Sequence, residues 1–133
     1  MTWHIVADTS CDLFDLPLET PDTNFATVPF SIRIGETEYI DTPDISVEKM
    51  LTANENSREA GRTACPGPQD WAEKFEAPGH VLAFTISSSL SGSYNSARTA
   101  QEMILEDEPE KKIAVIDTKA TGPETVLIIR KAC

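Results

Sequence analysis

Three short apolar runs in this chain each stop at a cluster of hydroxyl and aspartate side chains, and segments with helical spacing lie between them. Trp3-His4-Ile5-Val6-Ala7 gives way to Asp8-Thr9-Ser10, Val81 to Ile86 gives way to Ser87-Ser88-Ser89, and Ile113 to Ile116 gives way to Asp117-Thr118. Buried strands alternating with helices build βαβ units, so the expected fold is α/β, with a mostly parallel sheet flanked by helices. In open sheets of this kind ligands gather beyond the carboxyl ends of the strands. All three polar turns fall on that edge, which is where a binding site is expected.

The remaining segments fill in around this frame. Phe30, Ile32 and Ile34 alternate within Thr27 to Ile40, and Gly35-Glu36 makes a turn, which predicts a small β-hairpin. Asp44-Ile45-Ser46 caps a helix expected from Val47 to Ala53, and Asn54 to Gly61 reads as a polar loop. Pro66-Gly67-Pro68 interrupts regular structure before a short helix over Gln69 to Phe75. Ala97, Ala100 and Ile104 share one helical face after the serine turn, and Val126 to Ile129 opens a final helix or strand. The apolar C-terminal segment Thr125 to Cys133 needs a covering surface, supplied by this sheet or by a further domain.

Composition narrows the partners. The chain has 133 residues, 40% of them hydrophobic, which fits one domain with a core. Its formal net charge of −11 argues against nucleic acid and against anionic membranes. No apolar stretch nears the roughly 20 residues that span a bilayer, and the first residues lack the pattern of a signal peptide. Cys11, Cys65 and Cys133 are odd in number, far apart and without CxxC spacing, so reduced thiols in a cytoplasm are expected.

The stretch from Phe84 to Ala97, FTISSSLSGSYNSA, carries the most chemistry. A strand, a hydroxyl-rich turn and a helix start in succession aim backbone N–H groups and serine hydroxyls at one point, at the positive end of a helix dipole. Such a place suits a carboxylate, a phosphate or a reaction oxyanion. Capping is the plain alternative: Ser91 has the character of an N-cap, and Gly92 of a residue that lets helix and strand approach. A serine nucleophile needs a base within reach. His4 lies in a predicted strand and His80 at the far end of the central strand, so neither is placed for that task. There is no GxxxxGK[ST] or GxGxxG, and Arg62 and Arg98 are the nearest cations. Asp8, Asp12 and Asp117 read as turn and capping residues rather than magnesium ligands.

Five segments together resemble the DegV family of bacterial fatty-acid-binding proteins. Asp8-Thr9-Ser10-Cys11-Asp12-Leu13 is similar to that family's opening D-S/T-x-x-D-L, and Val28-Pro29-Phe30 with Gly35 and Tyr39-Ile40-Asp41 to its next segment. Arg62-Thr63-Ala64-Cys65-Pro66 stands where T-S-x-P falls. Ser87 to Ala97 resembles S-S-x-L-S-G-T-Y-x-S-A, and Val115-Ile116-Asp117-Thr118 resembles V-I-D-S. Ala64 and Ser93 depart from the usual serine and threonine, and Lys119 to Glu124 agrees only loosely.

The resemblance implies a Rossmann-like three-layer N-terminal domain over residues 1–133, with the family's second domain absent. It implies a long-chain fatty acid as ligand, no cofactor, no catalysis by this chain, and a fatty acid kinase as partner in the cytoplasm. Its head-group contacts carry over to Thr63, Ser91 and Gly92, with Ser87 and Ser88 nearby and Arg62, Asp8 and Ser10 in support. The acyl chain is expected in a cleft between the strands and the Tyr94–Ile104 helix. Two other readings stand beside this one: a small hydrolase or phosphotransferase using Ser88 or Ser91, and an interaction module without a ligand.

Overall fold

The computed structural model describes residues 2–17 and 21–133. In chain order its elements are β1 (Trp3–Asp8), a 3-10 turn (Thr9–Cys11), β2 (Thr23–Val28), β3 (Ser31–Ile34), β4 (Thr37–Ile40) and α1 (Val47–Asn56). There follow β5 (Arg62–Ala64), α2 (Pro68–Phe75), β6 (His80–Thr85), α3 (Ser93–Asp107), β7 (Ile113–Asp117) and α4 (Pro123–Ala132). Four strands form one sheet in the order β2-β1-β6-β7, every pair parallel.

Alternation along the strands supplies both faces of this sheet. Val6, Val28, Val81, Ala83 and Ile113 point to one side, against Trp71 and Phe75 of α2 and Ala97, Ala100 and Ile104 of α3. Ile5, Ala7 and Phe84 point to the other side, with Cys11, Leu16 and Ile129 of α4. Three layers result, as expected. Trp71 and Phe75 are wholly buried, and burying side chains of this size stabilises by roughly 1.5–3 kcal/mol each. The C-terminal segment is a helix, and it covers itself on the sheet: Thr125 and Ile129 are fully buried, while Leu127 stays exposed.

Two strands differ from the expectation. Thr23–Val28 pairs with β1 from Trp3↔Thr23 to Asp8↔Val28, so Thr27 and Val28 belong to the large sheet and the hairpin starts only at Ser31. The hairpin itself forms around Gly35-Glu36, with Gly35 at φ +59. It is joined by β5, which follows the expected loop Asn54 to Gly61, to make a three-stranded antiparallel sheet in the order β4-β3-β5. Helix α1 runs three residues beyond its expected end, to Asn56, with Ser46 Oγ accepting from Lys49 N at 3.4 Å.

Candidate functional site

The carboxyl ends of β1, β6 and β7 meet at one edge, since Ala7 is in register with Phe84 and Thr85 with Asp117. Asp8 closes β1 there and is 1% exposed. Its Oδ2 accepts from Ile86 N at 2.9 Å and from Ser93 Oγ at 2.7 Å, and its Oδ1 accepts from Ser10 Oγ. Burial pushes the Asp8 pKa up, and the hydrogen bonds from Ser10, Ile86 and Ser93 pull against that rise. At the neighbouring strand end Asp117 accepts from Ser88 N and Lys119 N, both at 3.1 Å, and from Ser88 Oγ. The Ser88 hydroxyl, foremost, holds its pKa below the usual carboxylate value.

These bonds sort the serines into two groups. Ser10, Ser88 and Ser93 already donate their hydroxyl protons to Asp8 or Asp117. Ser88 and Ser10 therefore offer a ligand lone pairs rather than protons in this arrangement. Asp8 itself is buried with its oxygens occupied, so its place in the site is behind the turn. Ser87 and Ser91 accept from Ser89 N at 3.3 Å and Ser93 N at 3.2 Å, which leaves their own protons free. Ser87 is 6% exposed, whereas Ser91 is half-buried at the mouth of α3. The N-cap of α3 is Gly92, one residue after the expected Ser91, and it has no side-chain cap. Among the described residues the N–H groups of Gly92, Tyr94 and Asn95 have no acceptor, as the first turn of a helix requires.

The fold does not demand a glycine at position 92. Its φ is −77, and a Cβ there would meet Cys65 Sγ at 3.6 Å, an ordinary contact. The same contact brings the end of the β5 segment against the serine turn. Thr63 lies two residues before Cys65, about 6–7 Å along an extended chain. Its side chain is exposed, and its hydroxyl has no partner among the described residues.

Register sets which way Thr63 faces. It pairs with Ile32, which shares its face with Ile34, and on that face α1 leaves a groove of about 330 Å³ lined by Ile32, Ile34, Met50, Leu51, Asn54, Gly61 and Thr63. Arg62 pairs with Arg33 on the opposite face, beside Glu59, so the cation expected to support Thr63 is turned away from it. Helix α3 is spent on the core through Ala97, Ala100 and Ile104, so the expected cleft beside it is filled. The apolar groove lies against α1 instead. The alternation of Ile32 and Ile34 was the visible sign of that face, but the part played by Met50 and Leu51 depends on where α1 docks.

Both histidines sit at the other edge of the large sheet. His4 Nε2 lies 2.5 Å from Pro78 O, and His80 Nδ1 accepts from Lys112 N at 3.2 Å. No base of that kind attends the serines. Among the described residues no group of three or more His, Cys, Asp or Glu gathers as a metal site, and no helix is long and apolar enough to cross a membrane.

The structure thus combines a parallel sheet flanked by helices, a strand-to-helix turn with open backbone donors, and an apolar groove between the small sheet and α1. The chain belongs to the DegV family, whose model, described as an uncharacterised protein of the DegV family, matches residues 2–133. A DegV domain-containing protein of Streptococcus pneumoniae is 37% identical over 131 residues, covering 98% of this chain and 47% of that protein. Among solved structures, the Streptococcus pneumoniae Fatty Acid Kinase (Fak) B3 protein loaded with linoleic acid matches with a TM-score of 0.94 at 37% identity, covering 98% of this chain and 47% of that one. A DegV family protein from Eubacterium eligens loaded with heptadecanoic acid matches with a TM-score of 0.89 at 34% identity, covering 98% and 46%. The chain thus spans about half the length of these relatives.

Proposed function

We propose that this chain is the fatty-acid-binding half of a DegV protein. The Thr63 and Ser91 hydroxyls and the Gly92 N–H hold the carboxylate, and the acyl chain runs over Ile32, Ile34, Met50 and Leu51. The relatives loaded with linoleic and heptadecanoic acids supply the ligand class. The observation that carries the site assignment is the donor count at the turn. Of the hydroxyls placed there, Ser10, Ser88 and Ser93 are bound to aspartates, while Ser91 and Thr63 keep protons to give. The open N–H groups of α3 add the dipole's positive end. Each CH₂ group removed from water contributes roughly 0.8 kcal/mol, so the tail supplies most of the affinity and the turn supplies orientation.

Binding leaves the chemistry to a partner. The relative from the fatty acid kinase system supports a kinase that receives the carboxylate in the cytoplasm and phosphorylates it, with this chain as carrier. Titration of the protein with an octadecenoic acid tests the site: Ser91→Ala and Thr63→Val weaken binding while Ser88→Ala does not. Equal affinity in all of them would refute the assignment.

A further inference from the structure

We propose that Asp8 is the positioning residue of the head-group site, acting through Ser93 rather than on the ligand. The inference rests on the fatty-acid reading above and goes deeper into the same site. Asp8 is 1% exposed, and its carboxylate has no ion-pair partner among the described residues. Burial of a carboxylate without a cation is costly unless its oxygens are well supplied with donors. Here the donors come from three separate places: Ser10 after β1, Ile86 after β6, and Ser93, the first residue of α3. Ser10 O in turn accepts from Gly122 N at 2.7 Å, which ties the start of α4 to the same point.

The direction of the bonds gives Asp8 its effect on the site. Ser93 Oγ donates inward to Asp8, which fixes where residue 93 stands. From that position Ser93 N donates to Ser91 Oγ at 3.2 Å. An oxygen that receives that N–H directs its own proton elsewhere, and half-buried Ser91 has no acceptor for that proton among the described residues. The path runs from Asp8 through the Ser93 side chain and then the Ser93 main chain to the Ser91 donor. Asp8 stays out of ligand contact, since it is buried and shares the ligand's sign of charge. An alanine in its place accepts from none of the three donors, whereas an asparagine could still accept from Ile86 N and Ser93 Oγ through its one oxygen.

The test compares fatty-acid affinity and melting temperature across four variants of the protein. Asp8→Ala and Ser93→Ala are expected to weaken binding of an octadecenoic acid by about tenfold or more, the loss of one charge-assisted donor. Ser93→Thr keeps the hydroxyl and is expected to restore binding to within about threefold of the wild type. Val81→Ala, a buried change at the far end of β6, is expected to lower the melting temperature and leave affinity unchanged. Amide resonances of Gly92 and Ser93 should move in Asp8→Ala and stay in place in Val81→Ala. Asp8→Ala or Ser93→Ala binding as tightly as wild type overturns the inference, as does Val81→Ala losing affinity in step with its stability. Should Asp8→Ala not fold, the Ser93 pair decides alone. Wild-type protein that takes up no fatty acid overturns the underlying reading and this inference with it.

Discussion

Gly92→Ala separates a glycine kept for a ligand from one kept for the fold. The backbone at this position has φ −77, which alanine adopts without strain, and the added methyl meets Cys65 Sγ at 3.6 Å. Replacing glycine where the conformation is compatible stabilises by about 0.4–1 kcal/mol, through the unfolded chain. Alanine is a poorer N-cap than glycine by a few tenths to about 1 kcal/mol. The two effects nearly cancel, so the expected change in stability is within about 0.5 kcal/mol of zero. Binding behaves differently, because the methyl stands beside the N–H that the carboxylate must approach to about 2.9 Å. Loss of a hydrogen bond to a charged group costs about 1.5–3 kcal/mol, or roughly ten- to a hundredfold in Kd. Calorimetric titration with an octadecenoic acid and thermal melts of the same samples read both quantities. A variant that loses stability and affinity together, or keeps its affinity, would refute the reasoning.

Other outcomes follow from the same geometry. Thr63→Val keeps the shape of the side chain facing the α1 groove and removes its hydroxyl, so Kd should rise by about tenfold; Arg62→Ala, on the opposite face, should leave Kd unchanged in the same titration. Burial pushes the Cys11 thiol up to about 11 from an ordinary 9.0. The native state therefore holds that proton more tightly than the unfolded chain. Stability is full below pH 9 and falls between about pH 9 and 11, by no more than about 2–3 kcal/mol. Denaturant melts across that range check it, and Cys11→Ala should flatten the fall. Phe84→Ala opens a cavity in the core cluster that contains Ile5 and Ile129 and should cost about 3–5 kcal/mol by the same melts.

The run from β6 through the serine turn into α3 was legible because three signals change abruptly within a few residues: apolar, then hydroxyl, then helical spacing. Thr23–Val28 was not, since it lies at the sheet edge with most side chains half-buried and shows no continuous apolar run. Strand β5 has three exposed residues and exists through pairing with β3, a contact that local sequence does not announce. The site was legible as a set of candidates. Ser88, Ser91 and Ser93 look alike in a string of letters, and what tells them apart is that Ser88 reaches Asp117, Ser93 reaches Asp8 and Ser91 reaches neither. Arg62 and Thr63 are neighbours in the chain, yet a strand sends them to opposite faces. That single step of register turned the expected cation away from the hydroxyl it was meant to support.

Native mass spectrometry with an octadecenoic acid and with its methyl ester addresses the head group most directly. The two molecules share a tail and differ in the charged end that Thr63, Ser91 and Gly92 are proposed to hold. A one-to-one complex with the acid, together with little or none with the ester, is the expected result. Equal uptake of both, or of neither, would contradict recognition of the carboxylate at this turn.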